Sequence, residues 1–224
     1  MAKITVGIPK TDYSTKTGWQ EFITYLLGDD AETINLDPWV NKPGKKCNEL
    51  LLPEHVDIVI FDGGVDVHPI LYKESKHPAT VSNILRDWTE LIIFQRYFNL
   101  PTKFAGICRG AQFLNVMMGG NLYQDLRSIK MAHAGQHLSQ LMPESKFFQF
   151  LGKETIHVNS LHHQAIKELG QNLRTTMIHP VFKTIEGIES IKGDKIRAVQ
   201  SHPEYASKIY KTRIEVMNWL LRNE

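Results

Sequence analysis

The spacing of apolar residues in the first half of the chain alternates between the period of a strand and that of a helix. Short apolar runs predict strands over residues 3–8, 32–36, 55–61 and 103–107. Apolar residues three or four apart predict the intervening helices, over residues 18–27, 81–98 and 110–118. This alternation is typical of α/β proteins with a central, mainly parallel sheet.

The second half of the chain is less regular. Shorter apolar runs predict strands, antiparallel or mixed in direction, over residues 147–151, 155–159, 174–178 and 184–188. A buried strand is expected over 195–200, and an amphipathic helix over 207–222. We expect residues 1–224 to form a single domain.

Composition narrows the class of protein. The chain is 42% hydrophobic with a net charge of +2, which gives no reason to expect a nucleic-acid partner. Its apolar runs are far shorter than the roughly 20 residues of a membrane helix, and the N-terminal segment does not resemble a secretory signal. Two cysteines do not make a disulfide framework or a zinc cluster. We therefore expect a cytoplasmic protein without a membrane partner.

The most informative segment lies between a predicted strand and a predicted helix. Gly106, Cys108 and Gly110 there form the pattern G-x-C-x-G, a nucleophile elbow with cysteine in place of serine. The corner is so tight that glycine is favoured on both sides of the nucleophile. It would place Cys108 at the carboxyl end of the sheet, beside a helix N-terminus that favours thiolate. The alternative is a buried structural cysteine beside a tight turn.

A thiolate nucleophile needs a base and a group that orients the base. His202 and Glu204 follow the predicted strand over 195–200, and residues two apart at a strand end point to the same side. The carboxylate of Glu204 would then fix the tautomer of the His202 imidazole. Taken alone, the sequence His-Pro-Glu is also compatible with a solvated loop.

A third element follows the predicted strand over 55–61. The sequence Asp-Gly-Gly at 62–64 is either a simple turn or a loop whose backbone approaches a substrate closely. In the second case the N–H of Gly64 would bind an oxyanion together with the N–H of Arg109, the residue after the nucleophile.

At this point the sequence resembles the class I glutamine amidotransferase-like proteins, and within them the γ-glutamyl-γ-aminobutyrate hydrolase, or peptidase C26, branch. The resemblance rests on blocks that occur in the family's order: FDGGVDVHPILY (61–72), RDxxE (86–90), GICRG (106–110), GGxLYQDL (119–126), VNSLHHQAI (158–166) and HPE (202–204). It implies a three-layer, flavodoxin-like sandwich with a nucleophile elbow.

The resemblance also implies roles for individual residues. Cys108, His202 and Glu204 would form a catalytic triad, and the N–H groups of Gly64 and Arg109 an oxyanion hole. The thiolate would attack the γ-amide of glutamine or of a γ-glutamyl amide and form a γ-glutamyl thioester, which water then hydrolyses to glutamate. The substrate's amino-acid end would be held by Gln112 and by the backbone around Ser160, His162 and His163.

Several residues have simpler interpretations. A metal site at His162 and His163, helped by His133 and His137 if those two shared a helix face, is disfavoured because no further ligand has a fixed spacing. Arg86 and Asp87 fit a capping or ion-pair role near the start of a helix. Cys47 lies in a basic loop over residues 41–47 and has no expected role. We expect no metal and no other cofactor.

Three functions remain open. The first is a stand-alone cysteine hydrolase of γ-glutamyl amides, acting on a small molecule. The second is a glutaminase subunit that supplies ammonia to a separate synthetase partner. The third is a non-catalytic binding module that keeps the fold. A homodimer is compatible with all three.

Overall fold

The computed structural model describes residues 3–10, 19–29, 31–38, 52–205 and 212–222, except for the side chain of Gln20. The loop that contains Cys47 lies outside these residues, as does the beginning of the helix predicted over 207–222. The strands are β1 Ile4–Pro9, β2 Ala31–Leu36, β3 Ile58–Phe61, β4 Lys103–Ile107, β5 Asn121–Tyr123, β6 Gly135–Leu141, β7 Thr155–Ser160, β8 Ala165–Glu168, β9 Leu173–Ile178, β10 Ile185–Ser190 and β11 Ile196–Val199. The helices are α1 Trp19–Leu27, α2 Ile84–Tyr97, α3 Arg109–Met117, α4 Lys146–Leu151 and α5 Arg213–Leu221, and a 3₁₀ turn spans Pro69–Tyr72.

The described strands form one mixed sheet, and its two halves differ in strand direction. The order is β2-β1-β3-β4-β11-β10-β9-β6-β7, with β8 paired to β10 and β5 to β8. The strands from β2 to β11 in this order run parallel to one another. Every pairing on the β10 side is antiparallel. The predicted α/β class is confirmed, and the strands predicted over 155–159, 174–178 and 184–188 are present and paired antiparallel.

Helices cover both faces of the parallel half, and strand periodicity separates two cores. On β3, Ile58 and Ile60 pack in one core with Ile23 of α1 and Trp219 of α5. The intervening Val59 and Phe61 face the other core, which includes residues of α2 and α3. Because successive strand residues point to opposite faces, a continuously apolar strand fills both cores.

The strand predicted over residues 147–151 is wrong, because this segment is helix α4. Ser145 caps the helix, since its Oγ accepts a hydrogen bond from the N–H of Phe148 at 3.0 Å. Gly152 ends it in the left-handed conformation, with φ +62°. The carboxylate of Glu189, from distant β10, accepts a further hydrogen bond from the N–H of Lys146 at 2.8 Å. Tertiary contacts and caps therefore outweigh the local apolar run.

Three short strands were not predicted: β5, β6 and β8. β6 has the sequence GQHLSQL, in which polar residues outnumber apolar ones and only Ser139 and Leu141 are buried. Such a strand carries little of the hydrophobic signal on which strand prediction depends.

Among the described residues, each helix is too short or too polar to span a lipid bilayer.

Candidate active site

Cys108 occupies a strained corner between β4 and α3. Its φ of 52° and ψ of −109° lie in a region that side-chain-bearing residues rarely adopt. Its N–H donates to the carbonyl of Val199 at 2.8 Å, which prolongs the β4–β11 pairing up to the corner. The predicted elbow is therefore present, with Cys108 as the residue before the first turn of α3.

The two glycines of the elbow are required by close packing. A Cβ on Gly110 would lie 1.8 Å from the carbonyl oxygen of Phe61 on β3. A Cβ on Gly106 would lie 2.8 Å from the Cβ of Ala198 on β11. Both contacts are far shorter than van der Waals separations, so the corner can lie against its neighbouring strands only with glycine at these positions.

His202 lies beyond the end of β11 and is hydrogen-bonded to both expected partners. Its Nδ1 is 2.6 Å from Oε1 of Glu204, and its ring also forms a hydrogen bond with the Cys108 side chain. Because Nδ1 is engaged by Glu204, Nε2 is the nitrogen left for the sulfur. Burial lowers the pKa of His202, but the hydrogen bonds with Cys108 and Glu204 outweigh it and raise the pKa to about 10. The arrangement therefore favours a charged imidazole next to the sulfur.

The position of His202 is fixed by contacts on three sides. Asn159 of β7 holds its backbone, accepting from the His202 N–H at 2.7 Å and donating to its carbonyl at 2.9 Å. Tyr205 stacks on the imidazole with an interplanar angle of 4°. A Cβ on Gly63 would lie 2.5 Å from Cε1 of the ring, so glycine is needed there too. The imidazole is thus clamped between the loop after β3 and the end of β7.

The loop after β3 is held in place by Arg86 of α2. The Arg86 guanidinium donates to the carbonyls of Gly63 at 2.9 Å and Asp62 at 3.0 Å, and to the Asp62 carboxylate at 2.8 Å. Gly64 has a φ of +149°, and a Cβ there would lie 1.9 Å from Nη1 of Arg86. Within the described part of the chain, the N–H groups of Gly64 and Arg109 donate to no other group. Both N–H groups are therefore free to bind an anion.

Arg86 and Arg109 share a buried network of carboxylates behind this loop. Arg86 pairs with Glu90 at 2.9 Å, and Arg109 contacts both Glu90 and Asp87. The Arg109 side chain is 1% exposed and points into this network, which leaves only its backbone for the site. The predicted ion-pair role of Arg86 and Asp87 is confirmed, whereas the side chain that caps α2 belongs to Asn83.

The residues expected to hold the substrate differ in their environments. Gln112 is buried, and its Nε2 donates to the carbonyl of Gln164 at 3.0 Å and to the side chain of Gln200 at 3.1 Å. Ser160 and the imidazole of His162 are also buried, so only their backbone can face a ligand. His163 is partly exposed and hydrogen-bonded to Asp66 at 3.1 Å. A cavity of about 560 Å³ borders Ser160, His162 and His163.

Sequence reasoning missed two residues of this site, Gln200 and Asn159. Gln200 donates from Nε2 to the sulfur of Cys108 at 3.6 Å. The sequence offered an indication of this role, because Gln200 ends the strand predicted over 195–200 and lies two residues before His202. Asn159 lies in the VNSLHHQAI block, but nothing in the sequence shows that its amide reaches His202.

The imidazoles predicted to share a helix face do not do so, because His137 lies on β6 and His133 in the loop before it. They nevertheless meet, with ring centroids 5.1 Å apart, and His162 joins them at 5.0 Å from His133. Burial lowers the pKa of His162 to about 4, which keeps this imidazole neutral.

A mixed sheet with a cysteine elbow at the carboxyl end of its parallel strands defines a class of fold, the class I glutamine amidotransferase fold. A glutamine amidotransferase from Thermotoga maritima is similar to this chain with a TM-score of 0.68, over 97% of this chain and 96% of that protein. The two sequences are 17% identical, so this likeness concerns the fold.

Sequence comparisons assign the chain to a narrower group, a protein family. The family model described as Peptidase C26 matches residues 31–204, and the chain belongs to this family. It is 37% identical to the protein NtpR of Enterococcus hirae over 67% of this chain and 68% of that protein. It is 34% identical to the glutamine amidotransferase-like protein YvdE of Lactococcus lactis, over 89% and 90% of the two chains. At 25% identity it is also similar to the gamma-glutamyl-gamma-aminobutyrate hydrolase of Escherichia coli, over 88% and 82%. The resemblance stated from the sequence motifs is confirmed.

Proposed function

We propose that the protein hydrolyses the γ-amide bond of glutamine or of a γ-glutamyl amide through a thioester on Cys108. The observation that carries the proposal is the hydrogen-bonded series in which His202 lies between the sulfur of Cys108 and the carboxylate of Glu204. Membership of a hydrolase family and the likeness to a gamma-glutamyl-gamma-aminobutyrate hydrolase support this class of substrate.

In the first half of the reaction, the Cys108 thiolate attacks the γ-carbonyl carbon and a C–S bond forms. The carbonyl oxygen becomes an oxyanion, which accepts hydrogen bonds from the N–H groups of Gly64 and Arg109. His202, already charged, gives its proton to the leaving nitrogen as the C–N bond breaks. An amine or ammonia leaves, and the γ-glutamyl thioester remains.

In the second half, His202 is neutral and accepts a proton from water as the water oxygen attacks the thioester carbonyl. The C–S bond then breaks, glutamate leaves, and the thiolate–imidazolium pair is restored. Glu204 holds the imidazole in the tautomer that both halves need. Gln112 and the backbone around Ser160, His162 and His163 are proposed to bind the amino-acid end of the substrate.

The test is glutamate release by the purified chain from a panel of γ-glutamyl amides and glutamine. Cys108→Ala should reduce turnover at least about 10³-fold, because the variant has no nucleophile. His202→Asn should reduce turnover strongly as well, because it removes the proton donor of the first half and the base of the second. Mass spectrometry of the intact parent protein, quenched with acid during turnover, should detect the thioester on Cys108. The exposed His157→Asn is the matched control and should behave like the parent protein.

Two outcomes would overturn the proposal: glutamate release that survives Cys108→Ala, or no turnover of any member of the panel. Turnover of glutamine alone, and only when a synthetase is added, would instead favour a glutaminase subunit. The relatives that carry the name glutamine amidotransferase make this second function worth testing.

A further inference from the structure

A cluster of imidazoles lies on the antiparallel side of Cys108, where the loop before β6, the loop after β7 and β10 meet. His133 and His162 come from the two loops, and Glu186 comes from β10. One ligand-type atom from each of these residues lies within 4.8 Å of the corresponding atoms of the other two. The rings of His137 and His179 pack around His133, with centroids 5.1 Å and 4.5 Å away.

Backbone carbonyls set the tautomers of the two central imidazoles. Nδ1 of His133 is 2.9 Å from the carbonyl of Met131, and Nδ1 of His162 is 2.9 Å from the carbonyl of Gln164. A carbonyl can only accept a hydrogen bond, so both Nδ1 atoms carry the proton. In a neutral imidazole, Nε2 then presents a lone pair, as in histidines that bind metal ions and donate their other N–H to a carbonyl.

Both Nε2 atoms face the buried carboxylate of Glu186. Nε2 of His133 is 3.0 Å from Oε1, and Nε2 of His162 is 3.8 Å from Oε2. His162 Nε2 and Glu186 Oε2 have no hydrogen-bond partner among the described residues, although their side chains are only 2% and 0% exposed. A buried lone pair that faces a buried carboxylate is unfavourable unless a proton or a cation lies between them.

We propose that His133 Nε2, His162 Nε2 and the Glu186 carboxylate bind a divalent transition-metal ion of the zinc type. Two imidazoles and one carboxylate are a ligand set that Zn²⁺ accepts, with water in the fourth position. Metal–ligand distances of about 2.0–2.1 Å place neighbouring ligand atoms roughly 3.3 Å apart. The imidazole–carboxylate separations of 3.0 Å and 3.8 Å are close to this value, and the ligand atoms all lie within 4.8 Å of one another. A cavity of about 120 Å³ borders both histidines.

Residues around the cluster are arranged as a supporting shell. Thr184 donates from Oγ1 to Oε1 of Glu186 at 3.0 Å and orients the carboxylate. The carbonyl of Gln164 accepts from His162 and also from Gln112, so the cluster is joined to the helix that follows the elbow. The sequence could not identify the site, because Glu186 is one of two glutamates in β10 and no spacing links it to the two histidines.

The experiment uses the full chain as Cys108→Ala, which removes the sulfur as a competing ligand and makes the result independent of the proposed hydrolase activity. Metal-free protein is titrated with Co²⁺, whose visible absorption reports tetrahedral coordination, and Zn²⁺ is then added as a competitor. We expect one Co²⁺ per chain, displaced by Zn²⁺. His162→Gln and Glu186→Gln should each weaken binding at least about 100-fold.

His157→Gln changes an exposed histidine of neighbouring β7 and should bind Co²⁺ like the parent. Circular dichroism of the metal-free variants checks that each one is folded, and His162→Gln keeps the test decisive if Glu186→Gln fails to fold. The proposal is overturned if the parent binds no Co²⁺ or Zn²⁺ at micromolar concentrations. It is also overturned if folded His162→Gln binds as tightly as the parent, or if Co²⁺ binds without the tetrahedral absorption.

Discussion

Two buried polar clusters flank Cys108, and they differ in how their polar atoms are paired. On the parallel half of the sheet, the guanidinium groups of Arg86 and Arg109 are bonded to carboxylates of α2 and to the loop after β3. On the antiparallel half, the imidazole cluster leaves Nε2 of His162 and Oε2 of Glu186 without hydrogen-bond partners among the described residues. The first cluster consists of several ion pairs, whereas the second has one close imidazole–carboxylate contact, from His133 to Glu186, beside two buried atoms that lack partners.

This difference shows two roles that buried polar side chains can have. Buried charged groups that are hydrogen-bonded to each other are stabilised by these bonds and can hold the neighbouring backbone in place. Arg86 holds the carbonyls of Asp62 and Gly63 in this way. Unpaired buried atoms lose their hydration without compensation, and where two of them face each other beside a further ligand atom, as at His162 and Glu186, they mark a candidate place for a bound ion. The surroundings of Cys108 are thus held by ion pairs on the side of Gly64 and carry the proposed metal site on the other side.

Removing the guanidinium of Arg86 from its buried ion pairs should have the largest effect on stability. Arg86→Met leaves the carboxylates of Asp62 and Glu90 buried without this partner, which should lower the free energy of unfolding by about 3–5 kcal/mol. Denaturant unfolding followed by circular dichroism measures the loss. Turnover should fall as well, because the loop that carries Gly64 loses its anchor.

Two further variants test whether the loss of buried ion pairs causes the lower stability. Arg96→Met, on the same helix but with its guanidinium over the Tyr97 ring, should cost less than about 1 kcal/mol. His162→Gln in metal-free protein should cost about 1–2 kcal/mol, still less than Arg86→Met, since it loses the hydrogen bond from Nδ1 to the carbonyl of Gln164 but no ion pair. Equal losses in Arg86→Met and Arg96→Met would contradict the anchoring role.

The pH dependence of stability should reveal the contact between Glu204 and His202. The pKa of His202 in the folded protein, about 10, lies above its ordinary value of 6.5. The stabilisation from its charged form is therefore complete below about pH 6.5 and is lost as the pH rises towards about 10. In Glu204→Gln one cause of the raised pKa is gone and no group that titrates between about pH 6 and about pH 9 is removed, so the loss over this range should be smaller by roughly 1–2 kcal/mol.

Urea unfolding of both proteins across this range provides the measurement, and the difference between them cancels groups that titrate in both. Parallel pH profiles would show that the Glu204 carboxylate does not contribute to the charged state of His202.

The smallest expected effect concerns helix α4, which lies between β6 and β7 along the chain. Ser145→Ala removes the side chain that caps α4 and should lower the free energy of unfolding by about 1 kcal/mol. Thermal unfolding is sensitive enough to detect this. Ser128→Ala, in an exposed turn, serves as the control, and a loss no greater than that of the control would mean that Glu189 alone holds the helix start.

The sequence predicted the parallel half well for a physical reason. Strands such as β3 and β4 are buried on both faces, so their apolar runs are unmistakable, and β4 was predicted with its observed bounds. The elbow was predictable as well, because its glycines are imposed by contacts with Phe61 and Ala198 that no side chain could accommodate.

The antiparallel half was harder to predict because its order depends on distant partners. β6 is mostly polar and pairs with β7 and β9, and α4 depends on Glu189. The same is true of the site, since Asn159 reaches His202 across 43 residues and Glu186 reaches His133 across 53. Hydrophobic periodicity indicates only whether a residue's own side chain is buried or exposed. The roles of these residues depend instead on contacts with residues that are distant in the sequence.

The backbone of Cys108 has a consequence for how this chain can evolve. Its positive φ costs a residue with a side chain on the order of 1–3 kcal/mol, and glycine avoids that cost. A change from cysteine to glycine would therefore relieve this strain and offset part of the packing and hydrogen bonding that the sulfur contributes, while the chemistry is lost. The backbone of the corner favours glycine over any side chain, so selection for reactivity is the main force that retains the sulfur, and a lineage released from that selection should lose the cysteine before it loses the fold.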